Sequence, residues 1–403
     1  MELFWLEHKK LWRKKIVKIC VLLCFVYYVI FGSILSFQWF SFGSSDDYTS
    51  AFGNNFDGYT VIKDSQEYAL SFGGELTDET LQKIVSDYQQ MEADGMEEEL
   101  EKTDWQIVNS WLGTLYPELR DTGNYKTMIS YVDPDKLTGF YERRQQVLDE
   151  FLEVSGQVGA EKEYLHQIER KVEKPFRYEW VEGWSTLLGS MVADLGVVMA
   201  LFLGIVLSSL FAGEWHDNTS TLVLTTRNGW GKIALAKILT GLAFTVELFA
   251  LLAVSIVISQ LFFMGTAGWD MPIQNIKLIA VAPMNMLQAE IYEYAFVLLG
   301  AIGFAGIVMF ISAAVKNNVL TLLLSLAVVY GPMMIAEYLP YEMQKALDLI
   351  PLVGSSTDIF RTNTFRIFGK LIWSPYLLIT IPVLIGILCM PFTIKSWSRR
   401  MKA

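Results

Sequence analysis

Residues 211–237 read FAGEWHDNTSTLVLTTRNGWGKIALAK and connect two long apolar runs through a short polar stretch. Within it, Thr219 to Leu224 can form a short helix, and Gly229 and Gly231 interrupt the chain before Lys232 begins the next apolar run. The stretch therefore predicts two membrane helices joined by a compact polar hairpin.

The composition of the whole chain points to the same class of protein. Of 403 residues, 52% are hydrophobic and 19% are charged, with a mean hydropathy of +0.33; this is too apolar for an ordinary soluble protein. A hydrocarbon core of about 30 Å takes roughly 20 helical residues to cross. The predicted fold is an all-α polytopic membrane protein with six transmembrane helices, at 16–40, 185–212, 233–263, 291–315, 318–338 and 371–394.

Charge at the two ends predicts the orientation. Glu2 and Glu7 are the only acids before the first span, and no acid follows the last span. Basic side chains dominate both flanks, which places both termini in the cytoplasm and requires an even number of spans. We therefore expect residues 1–15 to form a cytoplasmic amphipathic basic helix. The basic residues before the first span are Lys9, Lys10, Arg13, Lys14, Lys15 and Lys18.

Residues 41–183 differ in composition from the rest and are predicted to be an extracellular domain inserted between spans one and two. They hold 30 Asp and Glu against 13 Lys and Arg, a net charge of −17, whereas the remaining residues carry +6. The acidity fits a solvated surface, and it also allows a cationic peptide to bind. Apolar spacing predicts a mostly helical domain, with helices at 78–94, 104–115, 136–154 and 160–172.

Cysteine and histidine usage predicts neither a disulfide framework nor a metal site. Cys20, Cys24 and Cys389 fall in predicted spans, so the extracellular domain has no cysteine. The three histidines are scattered along the chain without metal-ligand spacing.

Three further features concern the later spans. Gly300, Gly303 and Gly306 favour close helix packing, with a hinge as the alternative. Residues 341–349 predict a short amphipathic helix, and Thr357 predicts the cap of another helix leading into the last span. Whether residues 341–370 re-enter the membrane stays open.

The hairpin resembles the coupling loop of permease subunits of type-2 ABC exporters. Two departures are Asn218, where the family often has Gly, and Trp230, near which the family often has a basic residue. The six-span order extends the resemblance over the whole chain, most closely to a Gram-positive branch with a large loop between the first two spans. Members of that branch serve antimicrobial-peptide export or immunity and sodium extrusion. The matching residues are Glu214, Thr219, Leu222, Leu224, Thr225, Thr226, Gly231 and Lys237.

The resemblance implies a permease in the bacterial plasma membrane, without enzymatic activity of its own. Its partners would be the lipid bilayer, a second identical or homologous permease and two cytoplasmic ATPase subunits, which bind ATP and Mg²⁺; no nucleic acid and no cofactor of this chain are implied. The sequence lacks the Gly-x-x-x-x-Gly-Lys-Ser/Thr phosphate loop, so ATP would be hydrolysed elsewhere. Within the coupling loop, at 213–232, the expected contacts to the ATPase are Glu214, Asp217, Thr219, Thr221, Arg227 and Lys232.

Asp194 and Glu247 are the least expected residues inside the predicted spans. Asp194 and Glu247 each lie roughly 15 Å from their own membrane surface at 1.5 Å of rise per residue. An ionised carboxylate at that depth costs a few kcal/mol and normally faces a cavity or a polar partner. The two residues could line a translocation path, or they could make protonated or hydrogen-bonded packing contacts.

Two other classes of protein compete with an exporter. A membrane sensor, receptor or immunity protein could bind a peptide through the extracellular domain. An intramembrane enzyme is disfavoured because the chain has no His-Glu-x-x-His motif. The substrate of an exporter stays open.

Overall fold

The computed structural model describes residues 2–41, 66, 73–95, 105–121, 123–124, 126–188, 192–216, 231–315, 317–354 and 362–399. The chain begins with two consecutive helices, α1 (Glu2–Arg13) and α2 (Lys15–Ser41), separated by a break at Lys14. Helix α1 is the helix predicted for residues 1–15, and α2 covers the first predicted span.

The domain between α2 and the later helices is mostly helical, as predicted. Its helices are α3 (Asp78–Ala93), α4 (Trp105–Leu115), α5 (Phe140–Val154) and α6 (Ala160–Glu169), and an antiparallel pair of short strands, β1 (Gly74–Glu75) and β2 (Arg177–Tyr178), closes it. A short helix, α7 (Glu182–Thr186), leads out of the domain. Three single 3₁₀ turns lie between α4 and α5, at Pro117–Leu119, Met128–Ser130 and Pro134–Lys136.

The starts of α3 and α5 are tied together by one carboxylate. Thr77 caps α3, as predicted, by accepting a hydrogen bond from Thr80 N. In the first turn of α3, Asp78 accepts hydrogen bonds from the backbone N–H groups of Gly139 and Phe140, at 2.7 and 2.9 Å. Helix α5 starts at residue 140 rather than 136 because Gly139 has φ +73 and interrupts the helical path.

This domain is held against residues 265–285, the segment between the helices Lys232–Met264 and Met286–Ala314. Arg144 of α5 is fully buried; it donates hydrogen bonds to Leu278 O at 2.7 Å and Ala280 O at 3.1 Å, and it pairs with Glu169 at 2.6 Å. The indole N–H of Trp111 donates to Asn275 O at 2.9 Å. Leu278 also belongs to the domain's apolar core, so the segment completes that core.

Within the described residues, five helices are long and apolar enough to cross a membrane, at Asp194–Trp215, Lys232–Phe262, Met286–Ala314, Asn318–Tyr338 and Ser374–Ser398. Helix α2 is not among the five, so a sixth crossing and the extracellular location of the domain stay predictions. The helices of this part are α8 (Val192–His216), α9 (Lys232–Met264), α10 (Met286–Ala314), α11 (Asn318–Ile335), the short α12 (Tyr341–Leu347) and α13 (Ser374–Arg399).

Helix α10 lies at the centre of the bundle and packs against α8, α9, α11 and α13. Glycines allow α10 and α13 to approach closely: a Cβ at Gly303 would lie 2.3 Å from Pro382 O, and one at Gly306 would lie 2.8 Å from Gly386 Cα. Because the contact moves from Pro382 to Gly386 on α13 as it moves from Gly303 to Gly306 on α10, the two helices run parallel. The predicted role of the glycines in helix packing is confirmed.

Two segment boundaries differ from the predictions. Helix α10 begins at Met286, five residues earlier than predicted, because Asn285 and Gln288 form a capping box. The helix predicted to lead into the last span is wrong: β3 (Thr364–Ile367) and β4 (Lys370–Trp373) form an antiparallel hairpin there. Phe368 and Gly369, at φ 48 and 78, make its two-residue turn. Helix α12 agrees with the amphipathic helix predicted at 341–349, and Thr357 lies outside the described residues.

Candidate functional site

A buried ion pair joins the two helix ends that flank residues 217–230. Glu214, in the last turn of α8, is 5% exposed, and Lys237, in the second turn of α9, is 2% exposed. Lys237 Nζ lies 2.9 Å from Glu214 Oε1. Burying a charge is costly unless it is paired and hydrogen-bonded, so both side chains are held by each other. The pair fixes the spacing of the two ends of the hairpin.

Helix α1 contributes two further charges to this ion pair. Lys10 Nζ lies 2.5 Å from Glu214 Oε1, and Glu7 Oε2 lies 2.8 Å from Lys237 Nζ. Two cations and two anions thus form a cluster of zero net charge, which we call the hairpin-root cluster (Glu7, Lys10, Glu214 and Lys237). It couples the position of α1 to the ends of both α8 and α9.

The same end of α8 is also bonded to α10. The buried Ser312 hydroxyl donates to Ser208 O at 2.6 Å and accepts from the backbone N–H groups of Phe211 and Ala212, each at 3.1 Å. A side chain inserted in this way competes with the helix's own i→i−4 hydrogen bonds. Trp397 of α13 is fully buried and packs edge-on against Phe211 at 5.5 Å. The base of the hairpin, formed by the ends of α8 and α9, is therefore held by three other elements: α1, α10 and α13.

The predicted coupling residues divide into two groups. Glu214 and Lys232 are described, whereas Asp217, Thr219, Thr221 and Arg227 lie outside the described residues. Lys232 is exposed at the start of α9. Glu214 faces inward, into the hairpin-root cluster, so its arrangement suits holding the loop rather than touching a partner.

Sequence reasoning missed two members of the cluster, Glu7 and Lys10. The available signal was Glu7 itself, one of only two acids in a strongly basic segment. An isolated acid there predicts a partner cation, but only packing identifies Lys237 as that partner.

The two carboxylates predicted to line a path lie in different surroundings. Glu247 accepts a hydrogen bond from the Trp12 indole at 3.0 Å and lies 3.2 Å from His8 Nε2, both in α1. Asp194 lies near the start of α8, close enough to the Tyr28 hydroxyl of α2 to interact with it electrostatically. Among the described residues, no hydrogen bond or ion pair joins Asp194 to Glu247. Their common role in a path stays a prediction.

A cleft of about 340 Å³ lies where the domain meets the segment before α10. Its lining contains both signs of charge, and Arg177 and Asp270 form an ion pair across it at 2.9 Å. The other polar residues of the lining are Lys171, Glu173, Gln274, Asn285 and Gln288. A cleft of mixed charge does not by itself select a cationic peptide.

Within the described part of the chain, no group of three or more His, Cys, Asp or Glu side chains could hold a metal ion. A comparison of the chain with protein-family models, curated proteins and solved structures finds no match.

Proposed function

We propose that this chain is the membrane-spanning permease subunit of an ATP-driven exporter, driven by separate cytoplasmic ATPase subunits through residues 213–232. The observation that carries the proposal is the hairpin-root cluster. A loop that receives force from a soluble partner needs a rigid base, and this loop begins and ends at a buried, fully paired set of charges.

The packing around the cluster supports transmission of movement into the bundle. Displacement of the end of α8 would act on α1 through Lys10 and on α10 through Ser312, which bonds directly to α8 backbone groups. Helix α10 in turn contacts four other membrane helices. A movement at the hairpin would thus reach the centre of the bundle through short, buried contacts.

The expected assembly contains two permeases and two ATPase subunits in a bacterial plasma membrane. An amphipathic compound such as an antimicrobial peptide is the substrate class that the branch resemblance favours. The domain at 41–183 would meet such a compound outside the cell.

The test is to co-express the full chain with an ATPase encoded by a neighbouring gene and to measure co-purification and ATP hydrolysis. We expect Thr219→Ala combined with Arg227→Gln to weaken the assembly by about 1–3 kcal/mol, as loss of contacts at the centre of an interface does. Thr138→Ala, at an exposed position of the domain, is the matched control. Failure of any phosphate-loop ATPase to co-purify, or equal assembly of the loop variant and the control, would contradict the proposal.

A further inference from the structure

Two buried carboxylates lie side by side in α10 without a counter-charge. Glu290 is 4% exposed and Glu293 is fully buried. Because they are three residues apart on one helix, their side chains are neighbours. The other buried residues of this part of α10 are apolar: Met286, Ala289, Phe296 and Val297. The predicted span began at residue 291, between the two carboxylates, and so left Glu290 outside it.

No hydrogen bond of ordinary geometry reaches any of the four carboxylate oxygens among the described residues, although the Tyr294 hydroxyl of the same helix lies beside Glu290. The described chain also contains no ion pair to either group. Two adjacent anions in an apolar interior repel each other, and each is costly to bury. The two carboxylates can therefore stay buried together only if a proton or another cation neutralises at least one of them.

A second helix contributes an unpartnered polar group to the same place. Tyr28 of α2 is 1% exposed, and its hydroxyl has no hydrogen-bond partner among the described residues. It is close enough to Tyr294 for the two side chains to interact electrostatically. Tyr294 in turn is close enough to Glu290 to interact with its carboxylate. The hydroxyls of Tyr28 and Tyr294 thus lie near the carboxyl pair, between α2 and α10.

No basic side chain of the described residues forms an ion pair with either carboxylate; the buried Lys345 of α12 pairs with Glu342 at 2.8 Å instead. The basic residues at Lys232, Lys237 and Lys395 lie at the opposite end of the bundle, where Ser312 meets the last turns of α8. The titratable groups on the other helices and on the segment packed against α10 are acidic or neutral: Asp194, Glu247, Tyr330, Asp348, Tyr376 and Cys389.

We propose that Glu290 and Glu293 form a site for one small monovalent cation inside the membrane-spanning bundle, either a proton or a metal cation such as Na⁺. Carboxylate and hydroxyl oxygens are the ligands that hard cations prefer. A proton would convert one carboxylate into a donor for the other, and a metal ion would be bound by both. The proposal concerns this site alone and does not depend on coupling to an ATPase.

The test is infrared spectroscopy on the purified full chain in lipid nanodiscs, at pH 7 in sodium-free buffer. We expect a C=O band of a protonated carboxyl group, which Glu290→Gln with Glu293→Gln abolishes and which each single change reduces. Glu342→Gln, at a side chain that is 76% exposed, is the matched control and should leave the band unchanged. Because Gln preserves size and removes the buried charge, the double variant should remain folded and no less stable than the wild type.

Addition of NaCl separates the two cations. Loss of the band on titration, together with saturable ²²Na⁺ binding that the double variant lacks, would identify a metal-cation site. A band that persists in sodium would identify a proton site. The proposal is overturned if the wild type shows neither the band nor ²²Na⁺ binding, or if the double variant keeps both signals. If the double variant does not fold, the single variants and the wild-type sodium titration decide by the same criteria.

Discussion

At the scale of single residues, buried charges carry most of the information in this molecule. Lys237 and Arg144 are both nearly inaccessible, at 2% and 0% exposure, and each is paired with a buried Glu. Removal of one partner of such a pair leaves the other charge uncompensated in a medium of low dielectric constant. The effects of breaking the two pairs can be measured separately, because Lys237 lies at the root of the hairpin and Arg144 lies in the inserted domain.

We expect Lys237→Met to destabilise the protein by about 3–5 kcal/mol, the cost of breaking a buried pair. The change removes the cation paired with Glu7 and leaves Glu214 with Lys10 alone, and thermal unfolding in detergent measures it. Combination with Glu214→Gln should cost less than the sum of the two single changes, because both act on one interaction. Lys232→Met, at an exposed lysine of the same helix, is the control. Equal effects of Lys237→Met and Lys232→Met would refute this role for the cluster.

A pH effect is expected at Glu169. Burial by itself raises the pKa of this carboxyl, but hydrogen bonds from Lys174 and Arg144 and the charges of both lower it below the ordinary value of 4.5. A lowered folded-state pKa stabilises the domain above pH 4.5, and that stability is lost as the pH falls through the lower value. The unfolding temperature should drop on acidification below pH 4.5, and Glu169→Gln should reduce that drop. Glu150→Gln, at an exposed position, should leave the drop unchanged.

At the scale of elements, the contact between α10 and α13 depends on the absence of side chains. Gly303, Gly306 and Gly386 lie where the two backbones meet, and apolar residues elsewhere on these helices do not permit the same approach. The β3–β4 hairpin shows a second kind of element contact. It lies against the 41–183 domain through Arg366–Glu161 at 2.6 Å and Thr364–Gln157 at 2.7 Å.

We expect Gly306→Val to destabilise the bundle by about 1–3 kcal/mol, the usual cost of overpacking. Its Cβ would lie 2.8 Å from Gly386 Cα and 2.9 Å from Gly386 O, and neither backbone atom can move aside. Gly331→Val, also in a membrane helix and with open space around its Cβ position, is the matched control. Similar unfolding temperatures for the two variants would show that close packing at Gly306 does not matter.

At the scale of the whole molecule, the orientation of the chain is the main property to test. Both the proposed coupling loop and the extracellular position of the domain follow from positively charged flanks. If the orientation is reversed, a cytoplasmic ATPase cannot reach the hairpin.

We expect a cysteine introduced at Val158, which is 56% exposed in the domain, to react with an impermeant maleimide in intact cells. A cysteine at Lys232 should react only after the cells are made permeable, because the predicted orientation places the start of α9 on the cytoplasmic side. Val158→Ser, which provides no thiol, controls for labelling of the native cysteines. Labelling of the Lys232 variant in intact cells would reverse the assigned orientation.

Local patterns were sufficient for most of the helices. For α8, α9, α10, α11 and α13, the apolar runs predict most of the helix ends to within a few residues. Membrane crossing imposes a length and an apolar composition that can be recognised directly in the sequence. They failed for β3 and β4, where a hairpin turn at Phe368 and Gly369 overrides the expectation of a helix. They also misplaced the start of α10, where a capping box extends the helix to include Glu290.

The sequence by itself determined the membrane class, the polar hairpin and the mostly helical inserted domain, because these depend on hydropathy, charge and spacing along the chain. Tertiary structure decided which charges meet. Glu214 joins Lys237 and α1, Glu247 joins Trp12, and Glu290 and Glu293 are left together in an apolar interior. Partners separated by up to about two hundred residues are matched only by packing, since no local pattern records which faces of distant helices come together.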